Sequence, residues 1–215
     1  MNRDANPYFQ VGLDVLGRSC LVIGGGPEAA DKAGRLLEAG AQLRMVSPSL
    51  CPQLQEWAAQ ERFSYQARCW EPADLEGVFL VLNTAGDPAL ACRVFALARE
   101  RGLLINTYDR PECSNLGMAA LVHPGRLRLS ISTSGASPAL ASRLRRDLET
   151  LFDGEFVEYL EQLAQVRAHL RESADQETRI RLLKELVAEF RLEGKLHYPE
   201  GWREKVRELL GEKAG

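Results

Sequence analysis

The sequence predicts an α/β fold in which a parallel sheet is followed by a small α+β region and then by helices. Over the first ~110 residues, short apolar runs alternate with amphipathic helical patterns, which is typical of a parallel sheet covered by helices on both faces. Two further runs flank Pro124-Gly125 and predict a hairpin. From residue 155 onward 24 of 61 residues are charged, against 33 of the 154 before it, so the composition shifts near Asp153-Gly154.

Five apolar runs are predicted as strands of the sheet, and the segments between them as its helices. The predicted strands are 19–23, 42–46, 63–67, 78–82 and 103–105. The predicted helices are 27–40, 50–60 and 88–101. Asp87 is the expected N-cap of the third helix, with Pro88 as its first residue.

Downstream of the sheet, the pattern predicts a hairpin and several helices. The hairpin strands are predicted at 119–123 and 126–132, and Ser137 is the expected N-cap of a helix over 138–152. Apolar positions at helical spacing predict two longer helices, the second through Phe190, and a short last one over 199–210. Breaks are expected near 173–175 and 197–199.

Composition narrows the classes of function. The chain has 215 residues, 45% of them hydrophobic, and a formal charge of −3, which argues against nucleic-acid or membrane-surface binding. No apolar run reaches the ~18 residues that a membrane-spanning helix needs, and the first ten residues do not resemble a signal peptide. Five cysteines without a CxxC pair predict reduced thiols in a cytoplasmic protein. The three histidines show no ligand spacing, so no resident metal site is predicted.

The first strand is followed by Gly24-Gly25-Gly26-Pro27-Glu28-Ala29, which fits the pattern G-x-G-x-x-A. Gly24 permits the tight turn, Gly26 permits close approach of a pyrophosphate, and Ala29 permits close packing of helix on sheet. The helix N-terminus offers free N–H groups and the positive end of its dipole to phosphates. The motif predicts a dinucleotide site in a Rossmann-like sheet; the alternative is a glycine turn that binds nothing.

The end of the second strand carries no carboxylate for the ribose hydroxyls of NAD, a position where such sites usually have one. Hydroxyls or backbone groups of Ser47 to Ser49 are expected to hold the ribose instead. Arg44 precedes this point and could favour NADP, although we expect it to face solvent. These residues alone therefore leave the choice between NAD and NADP open.

Asp109 is the candidate catalytic carboxylate. It follows the strand 103–105, as Thr84 follows 78–82, and ligands bind beyond the carboxyl ends of parallel strands. A carboxylate beside a nicotinamide can accept a proton while a hydride leaves to the cofactor. The alternative is that Asp109 only forms a turn before Pro111.

The segment from Arg110 to Arg146 is locally basic, because it holds six arginines and only one acidic residue, Glu112. The arginines are Arg110, Arg126, Arg128, Arg143, Arg145 and Arg146. They could bind a polyanionic ligand through bidentate carboxylate contacts. The alternative is a solvated helix face whose arginines pair with Asp147 and Glu149.

Taken together, these motifs resemble the precorrin-2 dehydrogenase / sirohydrochlorin ferrochelatase family, the N-terminal module of siroheme synthase, over about Tyr8 to Phe152. The resemblance rests on the glycine loop, on Thr84-Ala85-Gly86-Asp87, on Asn106 to Pro111 (N-x-x-D-x-P) and on residues 130–141 (SISTSGASPALA). It implies oxidation of precorrin-2 to sirohydrochlorin with NAD as hydride acceptor. Some family members also insert ferrous iron.

The resemblance also implies an organisation and a set of site residues. Residues 1–112 would form the NAD-binding domain, 113–152 a dimerisation and substrate region, and 153–215 a helical domain in a homodimer. The family's essential aspartate falls on Asp109, and its active-site serine aligns with Thr133. The expected cofactor-binding residues are Gly24, Gly26, Pro27, Glu28, Pro48, Ser49 and Thr84. The expected substrate-binding residues are Arg110, Arg126, Arg128, Ser132 and Ser134.

Two other functions compete with this interpretation. One is a non-catalytic NAD-sensing module that regulates a partner; Asp109 beside an arginine-rich segment argues against it. The other is a short-chain alcohol dehydrogenase, which needs a lysine four residues after a tyrosine. None of the five tyrosines here has one, so this class is discounted.

Overall fold

A computed structural model describes residues 9–210 of the chain, so Tyr8, where the resemblance begins, lies outside the described residues. The chain divides into two compact units between Asp153 and Gly154. The first unit holds a parallel sheet with its helices, a hairpin and one further helix, and the second is helical. The separate assignment of 1–112 and 113–152 to two domains stays a prediction.

Five parallel strands form the sheet in the order β3-β2-β1-β4-β5. The strands are β1 (Ser19–Ile23), β2 (Gln42–Val46), β3 (Ser64–Gln66), β4 (Leu80–Asn83) and β5 (Leu104–Thr107). The predicted Rossmann-like α/β fold is thereby confirmed. From β1 the chain first adds β2 and β3 on one side of the sheet and then adds β4 and β5 on the other side. Ligands of such sheets bind at the carboxyl ends of the strands beside this change of side, between β1 and β4.

Three helices cover the two faces of the sheet: α1 (Pro27–Glu38), α2 (Pro52–Ala59) and α3 (Pro88–Glu100). Alternate residues of β1 enter different cores. Cys20 and Val22 lie in the cluster with α1 and α2, whereas Leu21 and Ile23 lie in the cluster with α3. The predicted cap of α3 is confirmed, since the Asp87 carboxylate accepts a hydrogen bond of 2.8 Å from the Ala89 amide.

Three strands differ from their predicted bounds. Strand β3 is one residue shorter at each end, and β4 and β5 begin later than predicted because their first residues take part in neighbouring turns. The Val78 amide bonds to the Leu75 carbonyl at the end of a 3₁₀ turn, so β4 begins at Leu80. The Leu103 amide bonds to the Ala98 carbonyl at the end of α3, so β5 begins at Leu104. As β5 continues through Thr107, Asn106 and Thr107 belong to the strand rather than to the loop after it.

The 3₁₀ turn Pro72–Leu75 is fixed by a buried carboxylate. Arg68 contacts both oxygens of Asp74, at 2.6 and 2.9 Å, and the Glu71 amide donates to it at 2.8 Å. Burial raises the pKa of Asp74, but these hydrogen bonds and the nearby positive charges outweigh burial and hold the pKa below its usual value. Arg44 does not face solvent as expected, because its guanidinium donates to the Asp74 and Glu76 carbonyls.

The rest of the first unit is an antiparallel hairpin and a helix. The hairpin strands β6 (Ala120–Val122) and β7 (Leu129–Ile131) are shorter than predicted, since the connection between them is occupied by a turn that the Leu127 amide closes on the Pro124 carbonyl. Helix α4 (Pro138–Glu149) follows, and its predicted cap is confirmed by a 3.1 Å bond from the Leu140 amide to the Ser137 hydroxyl.

The second unit contains α5 (Gly154–Ser173), α6 (Gln176–Glu185) and α7 (Trp202–Leu209). The predicted break after Ser173 is confirmed, and Asp175 caps α6 through the Thr178 amide at 3.0 Å. Helix α6 ends before the predicted Phe190, and the Tyr159 hydroxyl donates to the Leu186 carbonyl just beyond its end. Within residues 9–210, every helix is too short or too polar to cross a membrane.

Candidate functional site

The loop after β1 contacts the loop after β4 so closely that its first glycine has no room for a side chain. Gly24 has a φ of 113°, which residues with a Cβ rarely adopt. A Cβ on Gly24 would lie 2.5 Å from the Thr84 Oγ1 atom and 3.1 Å from the Thr84 carbonyl carbon. The Thr84 hydroxyl in turn donates to the Ile23 carbonyl at 3.0 Å. Thr84, a predicted cofactor residue, therefore also buttresses the glycine turn.

Gly25 contacts the loop after β2 in the same way, and the sequence analysis assigned it no role. A Cβ on Gly25 would overlap the Ser49 carbonyl oxygen. The Cys51 amide donates to the Gly25 carbonyl at 2.7 Å, and the Ser47 hydroxyl donates to the Ser49 carbonyl at 2.8 Å. The run of three consecutive glycines was the signal that could have indicated this close approach. Ser47 is buried and its hydroxyl is engaged within the loop, whereas Pro48 and Ser49 are exposed.

Gly26, by contrast, borders open space. Within residues 9–210, no atom beyond its chain neighbours lies within 4 Å of the position where its Cβ would be. It is the N-cap of α1 without a side-chain capping bond, and Pro27 follows it. The first-turn amides of a helix have no intrahelical acceptors, and this end carries the positive pole of the helix dipole. The open cradle above Gly26 therefore fits a phosphate group of a dinucleotide.

Asp109 lies at the tip of a turn that hydrogen bonds hold in shape. The Thr107 hydroxyl donates to the Cys113 carbonyl at 2.8 Å, and the Ser114 hydroxyl donates to the Arg110 carbonyl at 3.0 Å. Asp109 has a φ of 54°, a conformation that Asp tolerates better than most residues. Its side chain is exposed. The structure is therefore compatible with both interpretations of the sequence, because Asp109 forms a turn and its carboxylate is also exposed.

A cavity of about 800 Å³ opens between α1, α4 and the hairpin, within the size range of small-molecule sites. Each helix contributes one face, with residues spaced three and four apart. These residues are Glu28, Asp31, Lys32 and Arg35 of α1 and Pro138, Ala141, Ser142 and Arg145 of α4. Tyr108, the neighbour of Asp109, also lines the cavity, as does His123 at the hairpin.

The charged groups of the cavity are three cations and two carboxylates. The Lys32 ammonium lies 3.7 Å from Glu28 and 3.1 Å from Asp31, and its side chain is only 13% exposed. Arg35 lies 3.9 Å from Asp31, and Arg145 pairs with Glu149 at 2.6 Å. The Lys32 ammonium donates one of its three protons to Asp31, and the Arg35 contact is too long for a hydrogen bond, so both cations keep donors for an anionic ligand.

Several predicted site residues come together at this cavity. Glu28, Ser132 and Thr133 line it, whereas Asp109 and Ser134 do not. The Thr133 hydroxyl accepts a bond of 3.1 Å from the Ser137 amide, which leaves its own proton to donate. The Ser132 hydroxyl accepts from the Ser134 amide at 3.2 Å. These hydrogen bonds hold Ser132, Thr133 and Ser134 in one turn ahead of α4.

The predicted substrate arginines are placed differently. Arg110, Arg126 and Arg128 do not line the cavity, and the Arg128 guanidinium donates to two carbonyls of its own turn. On α4, Arg143 and Arg145 pair with Asp147 and Glu149, as the helix-face alternative predicts. Lys32 and Arg35 were missed by the sequence analysis. Their spacing from Glu28 along α1 could have indicated a shared face.

Comparisons with known families agree with the two parts of the first unit. Residues 11–120 match the family model described as "Putative NAD(P)-binding", which covers just over half of the chain. Residues 125–151 match the model described as "Sirohaem biosynthesis protein central".

Individual relatives give the same result. The chain is 35% identical over 144 residues to a siroheme synthase of Nitrosococcus oceani and 38% identical over 145 residues to one of Sodalis glossinidius. Each match covers 67% of this chain and 31% of the relative, so the chain spans about a third of their length. A solved structure named as the precorrin-2 dehydrogenase SirC superposes with a TM-score of 0.70 at 28% identity, covering 84% of this chain and 89% of that one.

Proposed function

We propose a function from the premise that this chain belongs to the NAD(P)-binding family that includes siroheme synthases and precorrin-2 dehydrogenase. The chain oxidises precorrin-2 to sirohydrochlorin, with NAD as the acceptor of the hydride. The observation that carries the proposal is that Glu28, in the first turn of α1 after the open Gly26 cradle, and Tyr108, which precedes Asp109, line the same cavity. Likeness to a precorrin-2 dehydrogenase over most of the chain supports the choice of substrate.

The loops after β1 and β2 would hold the cofactor. Gly24, Gly26, Pro27 and Glu28 form the start of α1, where amides and the helix dipole attract the pyrophosphate. Pro48 and Ser49 are exposed at the end of β2, where the ribose of a dinucleotide lies in this type of fold. Arg44, bound to two carbonyls, is not available for a 2′-phosphate, which favours NAD over NADP. When bound, NAD supplies the hydride acceptor.

Asp109 would act as the general base. Oxidation of precorrin-2 removes a hydride and a proton, and an exposed carboxylate at the carboxyl end of β5 can accept the proton. The bonds from Thr107 and Ser114 keep the Asp109 turn in place. Thr133 keeps a hydroxyl proton for a hydrogen bond to the substrate.

The cations of the cavity would bind the acidic side chains of the substrate, which carries eight carboxylates. Lys32, Arg35 and Arg145 approach the cavity from two helices, so they can reach different parts of one macrocycle. Ser132 contributes a hydroxyl at the same wall. Arg110, Arg126, Arg128 and Ser134 remain proposed contacts outside the cavity lining.

We include a homodimer and a cytoplasmic location in the proposal. Leu140 of α4 is 51% exposed, and Phe190 and Val187 beyond α6 are 46% and 42% exposed. Contact with a second copy would remove such side chains from water. All five cysteines are free thiols, a state that a reducing compartment maintains.

The test is an anaerobic absorbance time course with enzymatically generated precorrin-2 and NAD. We expect the sirohydrochlorin spectrum and NADH to appear together, and neither to appear when NAD is omitted. NAD binding without any change in precorrin-2 would favour the regulatory NAD-sensing module. Ferrous iron added afterwards tests metal insertion: an enzyme-dependent shift to the siroheme spectrum assigns that step to this chain, and its absence assigns it to another protein.

A further inference from the structure

Two cysteines that are far apart in sequence are in contact next to the Asp109 turn. Cys92 is in α3, and Cys113 ends the 3₁₀ turn Pro111–Cys113 that packs against this helix. Their Sγ atoms are 3.5 Å apart, within the range of an S–H···S contact. A disulfide has an S–S distance of about 2.05 Å, so a local shift of about 1.5 Å would join them.

The two thiols differ in how easily an outside reagent can reach them. Cys92 is exposed, whereas Cys113 is 3% exposed. Burial, then the hydrogen bond and charge of Cys92 and the charge of Glu112, together raise the pKa of the Cys113 thiol to about 11, although Arg110 lowers it. A reagent therefore meets Cys92 first, and Cys113 lies behind it in position to react second.

We propose that Cys92 and Cys113 are a redox modification site that closes to an intramolecular disulfide in the presence of a low-molecular-weight disulfide such as oxidised glutathione. The Cys92 thiolate attacks one sulfur of the reagent and releases one glutathione thiolate. Cys113 then loses its proton to water and attacks the Cys92 sulfur, releasing the second glutathione. Two protein thiols are oxidised to one disulfide, and one glutathione disulfide is reduced to two thiols.

Closing this disulfide changes the Asp109 turn. The Cys113 carbonyl accepts the 2.8 Å hydrogen bond of the Thr107 hydroxyl, and the adjacent Ser114 hydroxyl bonds to the Arg110 carbonyl. A shift of Cys113 toward α3 pulls on both bonds and displaces Asp109 between them. This consequence rests on the proposed function, in which Asp109 is the base. Since a displacement of about 1 Å at a catalytic group can cost about 100-fold in rate, we expect at least tenfold slower turnover when the site is oxidised.

The modification is tested without any assay of activity. Reduced full-length protein is equilibrated anaerobically in glutathione buffers of increasing oxidation, quenched with acid, and mapped by peptide mass spectrometry under non-reducing conditions. We expect loss of the Cys92 and Cys113 thiols and one Cys92–Cys113 cross-linked peptide, reversed by dithiothreitol. Thiols that stay reduced in excess oxidised glutathione, or glutathione that remains on Cys92 without a cross-link, would overturn the proposal.

Serine variants identify the two roles. C113S is expected to accumulate one glutathione on Cys92, while C92S is expected to lose no thiol at this site. C92S is at an exposed position and is not expected to disturb folding, so it keeps the test valid if C113S does not fold. C69S, at an exposed thiol elsewhere in the fold, is the matched control and should still form the cross-link. Cross-linking to Cys69 instead of Cys113 would contradict the assignment.

The functional consequence is measured separately. Oxidised wild type should show at least tenfold lower kcat for precorrin-2 with an unchanged Kd for NAD, and C92S should be insensitive to oxidation. A cross-link that leaves kcat unchanged would overturn the effect on the Asp109 turn. An inactive reduced wild type would instead contradict the proposed function, while the peptide map still decides whether the disulfide forms.

Discussion

The parallel sheet and the C-terminal helices differ in how far each covers its own apolar side chains. In the sheet, Leu21, Val81 and Ile105 are fully buried. In α5 and α6 no described residue is buried, and Leu186 just after α6 is 47% exposed. The sheet is therefore a core that one chain completes by itself, whereas the helices present apolar surface that a neighbour would have to cover.

We relate this difference to a proposed division between chemistry, in the sheet region, and assembly, in the helices. The glycine loop and the Asp109 turn lie at the carboxyl ends of β1 and β5, which pair with β4 in the buried sheet, so backbone hydrogen bonds on a rigid support fix their positions. The helical unit offers aromatic contacts such as Tyr159 with Phe190, whose rings stack with centroids 5.9 Å apart, but no closed core. The first region is suited to hold reacting groups, and the second to make contacts.

The largest effect is expected from removing the proposed base. Asp109→Asn keeps the size of the side chain but cannot accept the proton, so kcat should fall about 100- to 10,000-fold, the usual range for loss of a general base. NAD affinity and the circular dichroism spectrum should not change. Glu185→Gln in α6 is the matched control from the other region and should retain full activity. Comparable losses of kcat in both variants would contradict the proposal that the chemistry belongs to the sheet region and not to the helices.

The same truncation of leucine to alanine in the two regions tests the comparison directly. Leu21→Ala should lower the free energy of unfolding by about 2–5 kcal/mol, because it leaves a cavity in a packed core. Leu186→Ala should lower it by less than about 0.5 kcal/mol in dilute monomer. Urea unfolding at several protein concentrations is the measurement. A cost for Leu186→Ala that grows with concentration would identify a dimer contact.

Two adjacent glycines distinguish a structural role from a binding role within the sheet region. Gly25→Ala places a methyl group against the Ser49 carbonyl and should destabilise the fold by about 1–3 kcal/mol. Gly26→Ala points into open space, so its stability should be close to that of the wild type, but its Kd for NAD should rise about tenfold. Thermal melts and NADH fluorescence titration measure the two effects. Unchanged NAD binding in Gly26→Ala would place the cofactor elsewhere.

The smallest effect is expected at the acid end of the stability profile. The folded pKa of Asp74 lies below its unfolded value, so its contribution is present above about pH 4, the unfolded pKa, and is lost as pH falls through the folded pKa. Asp74→Asn keeps one acceptor oxygen but loses the charge, so it should cost about 1 kcal/mol at pH 7 and should lack this part of the acid-induced loss. Urea midpoints at pH 7 and pH 3 measure the difference. An identical loss in both proteins would assign it to other carboxylates.

The sequence predicts those features that a few neighbouring residues determine. Asp87-Pro88 and Ser137-Pro138 each specify a helix start, because the side chain caps the helix and the proline fixes the backbone. Every strand of the sheet was located within a few residues, since buried parallel strands are continuous apolar runs. The exact ends were less accurate, because turns such as Leu75 to Val78 compete for the same residues.

Features that depend on distant parts of the chain were not predicted, because the sequence carries at most a local hint of them. Lys32 and Arg35 became candidate ligands only because α4 and the hairpin lie opposite this face of α1. Cys92 and Cys113 belong to different elements and show no motif spacing. The need for glycine at position 25 comes from the Ser49 carbonyl of another loop. In each case the deciding contact is created by the fold.

Helix α1 sets the distance between the binding positions of the two ligands in the proposed reaction. Its first turn borders the Gly26 cradle and its later turns carry Lys32 and Arg35 to the cavity. At 1.5 Å per residue, Gly26 and Arg35 are about 14 Å apart along the helix axis. One residue inserted after Ala29 would leave the cradle intact but rotate both cations by about 100°. Natural length variation is therefore expected in the loops around α1 and not within the helix.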